Sequence, residues 1–109
     1  MIFFRHENIS ESIVKFEATE NDEVFGSCIL DLSGKNAVVS NMIFPSDKPF
    51  FAEGLLKSAY NYAAANNYYM GVCKCDNIIQ LLTRLGFEKA GDEYILDIPS
   101  ILMGSCCKK

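Results

Sequence analysis

Hydrophobic and polar positions alternate from residue 12 to residue 19. Val14, Phe16 and Ala18 fall on one side, Lys15 and Glu17 on the other. This is the two-residue period of a half-buried strand. The polar run Glu20-Asn21-Asp22-Glu23 reads as a hairpin loop. Residues 24–32 form a second strand, with Gly26, Cys28, Leu30 and Leu32 sharing a face. Ser33-Gly34-Lys35-Asn36 is a further turn, and residues 37–44 are a third strand that Pro45 stops. Three strands joined by short polar turns predict an antiparallel meander.

The period changes at residue 49. Phe51, Leu55, Leu56, Ala59, Tyr62 and Ala63 recur at helical spacing up to about residue 66. Ser46 and Asp47 can cap the start of this helix, proline is tolerated in its first turn, and Glu53 and Lys57 form an i, i+4 pair. Asn66-Asn67 ends it. Residues 68–75 read as a strand, and Asp76 or Asn77 caps a second helix over residues 78–85, closed by Gly86. Residues 87–98 suit a hairpin around Gly91-Asp92, with Tyr94, Leu96 and Ile98 facing inward. The segment Met1-Ile2-Phe3-Phe4-Arg5-His6 is read as an N-terminal arm ahead of the sheet.

The resulting order is β-β-β-α-β-α-β-β. A strand–helix–strand crossover after a meander gives a mixed, largely antiparallel sheet with one parallel pair, which the two helices must cover. This is an α/β (α+β) domain. At 109 residues the chain is expected to be one domain, residues 1–109, with a core over about 12–98 and a cysteine-containing tail over 99–109.

Composition narrows the partners. Half of the residues are hydrophobic, enough for a packed core. The net charge of −4 argues against nucleic-acid binding, which calls for a basic face. No run reaches the ~18 apolar residues of a membrane helix, and the N-terminal apolar run is too short for a signal peptide. The expected location is therefore the cytoplasm, where the five cysteines would be mostly reduced. Their odd number also argues against a fully paired disulfide framework.

Three local signatures then carry a resemblance. The first is Glu20-Asn21-Asp22-Glu23-Val24-Phe25-Gly26-Ser27-Cys28, a hairpin opening a strand with a glycine. The second is Phe44-Pro45 followed by a helix bearing Leu55-Leu56. The third, and most specific, is Leu82-Thr83-Arg84-Leu85-Gly86-Phe87-Glu88. Together they span residues 12–98. The chain resembles the GNAT superfamily of acetyl-CoA-dependent N-acetyltransferases, as a short member with its first strand and first two helices shortened or missing.

The resemblance implies acetyl-CoA as cofactor and acyl transfer to an amine acceptor. It places the cofactor on Ile43, Phe44, Ser46, Lys48, Phe50, Phe51 and Ala52, and along the edges of the third and fourth strands. In the family a Q/R-x-x-G-x-G/A loop offers backbone N–H groups and a helix N-terminus to pyrophosphate. The matching stretch here is Asp47-Lys48-Pro49-Phe50-Phe51-Ala52. Asp47 stands where Arg or Gln is expected and Phe50 where the first glycine is expected, and only Ala52 fits. A carboxylate repels pyrophosphate, Phe50 obstructs close backbone approach, and Lys48 compensates in part as a point charge. The slot of the family's tyrosine general acid holds Leu82. No catalytic residue is assigned. A catalytically silent binding module of the same fold, covering its exposed Phe50-Phe51 pair by homodimerisation, is the alternative.

The cysteines carry a third reading. Cys73 and Cys75 share a strand face, and Cys106 and Cys107 lie near the end of the chain. Four thiols suit tetrahedral zinc, yet C-x-C with C-C is not the usual knuckle spacing, so no metal site is assigned. A thiol role for Cys106 and Cys107 beside Lys108 and Lys109 stands against a plain reading of Cys28, Cys73 and Cys75 as small buried residues. The one histidine, His6, lies on the arm. Glu17 reads as a solvated strand carboxylate, and Tyr60, Tyr62, Tyr68 and Tyr69 as core or rim aromatics.

Overall fold

The structure is a computed structural model that describes the backbone of residues 2–103 and the side chains of residues 2–100. Cys106 and Cys107 lie outside the described residues. Four strands open the chain: β1 (Ile2–Asn8), β2 (Ile13–Glu20), β3 (Glu23–Asp31) and β4 (Ala37–Ile43). The helix α1 (Phe50–Ala65) leads to β5 (Met70–Cys73). A single 3-10 turn, Asp76–Ile78, runs into α2 (Ile79–Leu85). The hairpin β6 (Glu88–Ala90) and β7 (Glu93–Asp97) follows, and α3 (Ile98–Met103) closes the described chain.

The seven strands make one sheet in the order β1-β2-β3-β4-β5-β7-β6, in which β4 and β5 are the parallel pair. The mixed, largely antiparallel α+β fold expected from the periodicity is present. Its period-two positions do what the pattern asked of them: Val14, Phe16, Ala18, Cys28, Leu30, Ala37 and Val39 are buried under α1. From the helical side Phe51, Leu55, Leu56, Ala59, Tyr60 and Ala63 meet them. Leu82 of α2, Phe87 and Ile98 belong to the same buried cluster, so the helices share one face of the sheet. On the opposite face Lys15 and Arg5 pair with Glu17, the solvated carboxylate that the alternation implied.

Some expectations change. The N-terminal arm is a full strand: β1 pairs antiparallel with β2 along its whole length, from Ile2↔Glu20 to Asn8↔Val14. Four residues join the two strands, with no helix between them. His6 is therefore inside the sheet, its ring 4.9 Å from that of Tyr62 and 5.5 Å from that of Phe16. A glycine makes this possible, because the Phe4 ring lies where a Cβ on Gly54 of α1 would stand. The helix starts differ too. Pro49 is the N-cap of α1 and Cys75 precedes the 3-10 turn, and neither end has a side-chain cap, so Ser46, Asp47, Asp76 and Asn77 do not cap. The C-terminus of α2 is as read, with Gly86 left-handed at φ 100°.

Candidate functional site

The site begins where β4 and β5 part. Their parallel pairing runs from Ala37↔Gly71 to Val39↔Cys73 and is extended by the Lys74 N–H donating to the Val39 carbonyl at 2.9 Å. β5 ends there, while β4 runs on to Ile43 without a partner on that side. On the β3 side the register of β4 shifts by one residue, from Ile29↔Ser40 to Ser27↔Ile43. Asn41 sits in that shift with φ 54°, as the extra residue of a bulge does. The bulge turns the end of β4 toward the start of α1, and Phe44-Pro45 makes the connection.

A cleft of about 530 Å³ lies past the ends of β4 and β5. Phe44, Pro49 and Ala52 form one wall. Asp76, Asn77, Ile78, Ile79, Gln80, Leu81 and Arg84 form the other. Asn77 Nδ2 donates to the Met42 carbonyl at 2.9 Å and so occupies a backbone acceptor of β4 beyond the end of β5. Glu53, in the first turn of α1, bridges the two helices. It pairs with Lys57 at 2.8 Å and with Arg84 at 3.0 Å. Its carboxyl is held below the usual range, first by the hydrogen bond from Lys57, with a further hydrogen bond from Arg84.

Seven residues were expected to hold a cofactor, and the structure brings only two of them, Phe44 and Ala52, to the cleft wall. Ile43 is the last residue of β4 and is 63% exposed. Ser46 is exposed in the connecting turn. Lys48 turns the other way, its ammonium 5.5 Å from the centre of the Phe25 ring. Phe51 is fully buried and stacked on Phe25 at 5.9 Å, while Phe50 is 53% exposed. The stretch 47–52 is also not an open cradle. The Phe51 and Ala52 N–H groups donate to the Lys48 and Pro49 carbonyls at 3.2 and 3.0 Å, and Pro49 has no N–H. Fewer donors face outward than a helix N-terminus normally offers.

Sequence reasoning missed the second wall. Asn77, Gln80 and Arg84 lie on the turn and helix that the Leu-Thr-Arg-Leu-Gly-Phe signature already located, and Arg84 is within it. Its cation beside the cleft was the legible signal. Leu82, in the tyrosine slot, is fully buried in the core.

Three thiols are buried. Cys73 ends β5, Cys75 lies two residues on, and Cys28 of β3 is also buried. Burial pushes the Cys28 thiol up to about 12. Among the described residues no group of three or more potential ligands is placed to hold a metal ion. No helix there is long and apolar enough to cross a membrane.

No protein-family profile matches the sequence, and no curated protein is significantly similar to it. Solved structures are similar. A ribosomal-protein alanine N-acetyltransferase from Escherichia coli superposes with a TM-score of 0.68 at 17% identity, over 82% of this chain and 71% of that one. A GNAT family acetyltransferase from Elizabethkingia anophelis with acetyl-CoA bound gives 0.66 at 15% identity, over 82% of this chain and 77% of that one. The PaiA N-acetyltransferase from Thermoplasma acidophilum, in complex with coenzyme A, gives 0.65 at 13% identity, over 79% of this chain and 60% of that one.

Proposed function

From a chain with the GNAT fold, we propose an acyltransferase that binds acetyl-CoA in the cleft between β4, α1 and α2 and passes its acyl group to an amine. The observation that carries this reading is the cleft itself, about 530 Å³ past the carboxyl ends of the parallel pair and walled by both helices. A parallel sheet opens a ligand crevice at the carboxyl ends of its strands for the same topological reason. Arg84, Gln80, Asn77 and the Asp76 carboxylate are the polar groups of the pocket, and Phe44, Ala52, Ile78 and Leu81 are among the apolar ones. That mixture suits a ligand with an apolar arm and a charged end.

The phosphates of such a ligand would meet Arg84 rather than the loop at 47–52. Ile43, Ser46, Lys48 and Phe50 remain a proposed outer rim for the nucleotide end. The acceptor amine must be neutral to attack, so its proton passes to water or to a base near the cleft.

A specific observation favours a second reading. Glu53 already compensates Arg84, and Asn77 already satisfies Met42, so two polar groups of the cleft already have partners within the protein. In that reading the fold is kept as a binding module, and the exposed Phe50 and Ile43 would be covered in a homodimer. Cytoplasmic location and a single domain over residues 1–109 belong to both readings.

Isothermal titration of the reduced protein with acetyl-CoA separates the two. Saturable heat in the micromolar range supports the acyltransferase. Absence of heat, with no thermal stabilisation at millimolar ligand, supports the binding module.

A further inference from the structure

β1 is an edge of the sheet, with no strand beyond it among the described residues. It is also the longer of the two edges, with seven residues against three in β6. It contains neither proline nor glycine, and its pairing with β2 runs without a register shift. Such an edge offers a row of backbone donors and acceptors to another strand. The Ile9 N–H, just past β1, donates to the Ile13 carbonyl at 2.9 Å. Hydrogen-bonded positions alternate along an antiparallel pair. The odd residues of β1 therefore turn their backbone groups to β2, and Phe4, His6 and Asn8 turn theirs outward. Side chains alternate as well. Arg5 lies with Glu17 and Lys15 on the sheet face opposite the helices, and Phe3 and Glu7 share that face by period two.

We propose that β1 is a self-association strand, on which a second copy of this chain adds its own β1 antiparallel about a two-fold axis and so continues the sheet. Charge selects both the occupant and the register. Outward backbone groups must meet outward groups, so the axis passes through a residue of the strand. An axis through Arg5 sets two arginines face to face, and an axis through Glu7 sets two glutamates face to face. An axis through Phe4 places Arg5 opposite Phe3. With the axis through His6, Arg5 of each copy meets Glu7 of the other, which gives two opposite-charge pairs. The same register sets Phe3 opposite Ile9. These are 59% and 56% exposed in the single chain, and each would cover the other. The outward backbone groups then pair without remainder, His6 with His6 and Phe4 with Asn8.

The charges of β1 are set up for this contact. Lys15 lies across from Glu7 but pairs with Glu17, so among the described residues Glu7 has no ion pair of its own. Arg5 meets Glu17 through Nε and Nη2, both at 3.0 Å, which leaves Nη1 for a second carboxylate. The contact is separate from the exposed Ile43 and Phe50, which stand at the end of β4 and the start of α1. It is also independent of whether the cleft binds acetyl-CoA.

Sedimentation equilibrium of the reduced full chain tests this. The expected result is a reversible monomer–dimer equilibrium with a Kd between about 10 μM and 1 mM, as suits a contact made by one strand. Glu7→Arg turns both opposite-charge pairs into like-charge pairs and should weaken association at least about tenfold. Thermal unfolding of the dilute variant checks that it folds. Amide hydrogen exchange of the parent gives a second readout that needs no variant. Protection at Phe4, His6 and Asn8 should rise with protein concentration, while Arg5 and Glu7, which face β2, change little. A chain that stays monomeric at about 1 mM overturns the proposal. So does a dimer whose Kd a folded Glu7→Arg leaves unchanged. A dimer that leaves exchange at Phe4, His6 and Asn8 unmoved also overturns it, and is the outcome expected if Ile43 and Phe50 form the contact instead.

Discussion

Gly26→Ala is a direct test of how β3, β4 and α1 meet beside the cleft. Gly26 is buried on β3, opposite Ala18 of β2. A Cβ placed there would stand 2.8 Å from the Ile43 carbonyl oxygen, 3.2 Å from Leu55 Cδ1 and 3.7 Å from Phe44 Cα. Two of these atoms are backbone at the bulged end of β4, so no side-chain rotation relieves them. Alanine in a strand interior normally gains roughly 0.5–1 kcal/mol over glycine by restricting the unfolded chain. Forcing a methyl group into a packed site costs about 1–3 kcal/mol. The second effect wins, and we expect net destabilisation of about 1–2 kcal/mol with a fall in Tm of roughly 5–10 °C. Urea denaturation followed by circular dichroism reads this directly. Gly34→Ala is the control, since nothing lies within 4 Å of a Cβ there. It should stay within about 0.5 kcal/mol of the parent. A Gly26→Ala protein as stable as Gly34→Ala would refute the close approach of Ile43 and with it the geometry of the cleft wall.

Other outcomes follow from the same contacts. Tyr60→Phe removes the hydroxyl that donates to the Val72 carbonyl at 2.7 Å in the core, and should cost about 1–2 kcal/mol in denaturant unfolding. Arg84→Glu should weaken acetyl-CoA binding at least about tenfold in titration while changing Tm little, because its pairing with Glu53 is exposed. Glu53 has a folded pKa below its unfolded value, so the stability it adds is present above the unfolded value and is lost as pH falls through the folded one. The stability gap between the parent and Glu53→Gln should therefore close below roughly pH 4 in a urea series. Cys28, raised to about 12, is roughly a thousandfold less ionised than an ordinary thiol at neutral pH, and should resist a disulfide thiol reagent until the protein unfolds.

Much of the fold was legible because its periods are clean. Val14, Phe16 and Ala18 alternate against charged neighbours, and Leu55, Leu56, Ala59 and Ala63 repeat helically. The bounds of α1 and of the β6–β7 hairpin fall within a few residues of the pattern. β1 was not legible, since Ile2-Phe3-Phe4-Arg5-His6 shows no alternation by itself. The strand takes its place from outside its own sequence, from the β2 edge and from the space that Gly54 leaves for Phe4. The site was less legible than the fold for a related reason. A motif fixes which residues are near α1, whereas helical rotation decides which of them face the cleft. Phe51 and Lys48 are each one position from a cleft-lining residue, yet one is core and the other lies over Phe25. The wall from Asp76 to Arg84 faces the start of α1 past the ends of β4 and β5, and no local pattern records that juxtaposition.

The central claim is that acetyl-CoA occupies the cleft between β4, α1 and α2. Amide chemical-shift mapping of the reduced protein during titration with acetyl-CoA tests it most directly. The account predicts saturable shifts concentrated at Phe44, Ala52 and residues 76–84, with the open sheet face around Lys15 and Glu17 unmoved. Shifts confined to other surfaces, or a spectrum unchanged at millimolar acetyl-CoA, would contradict it.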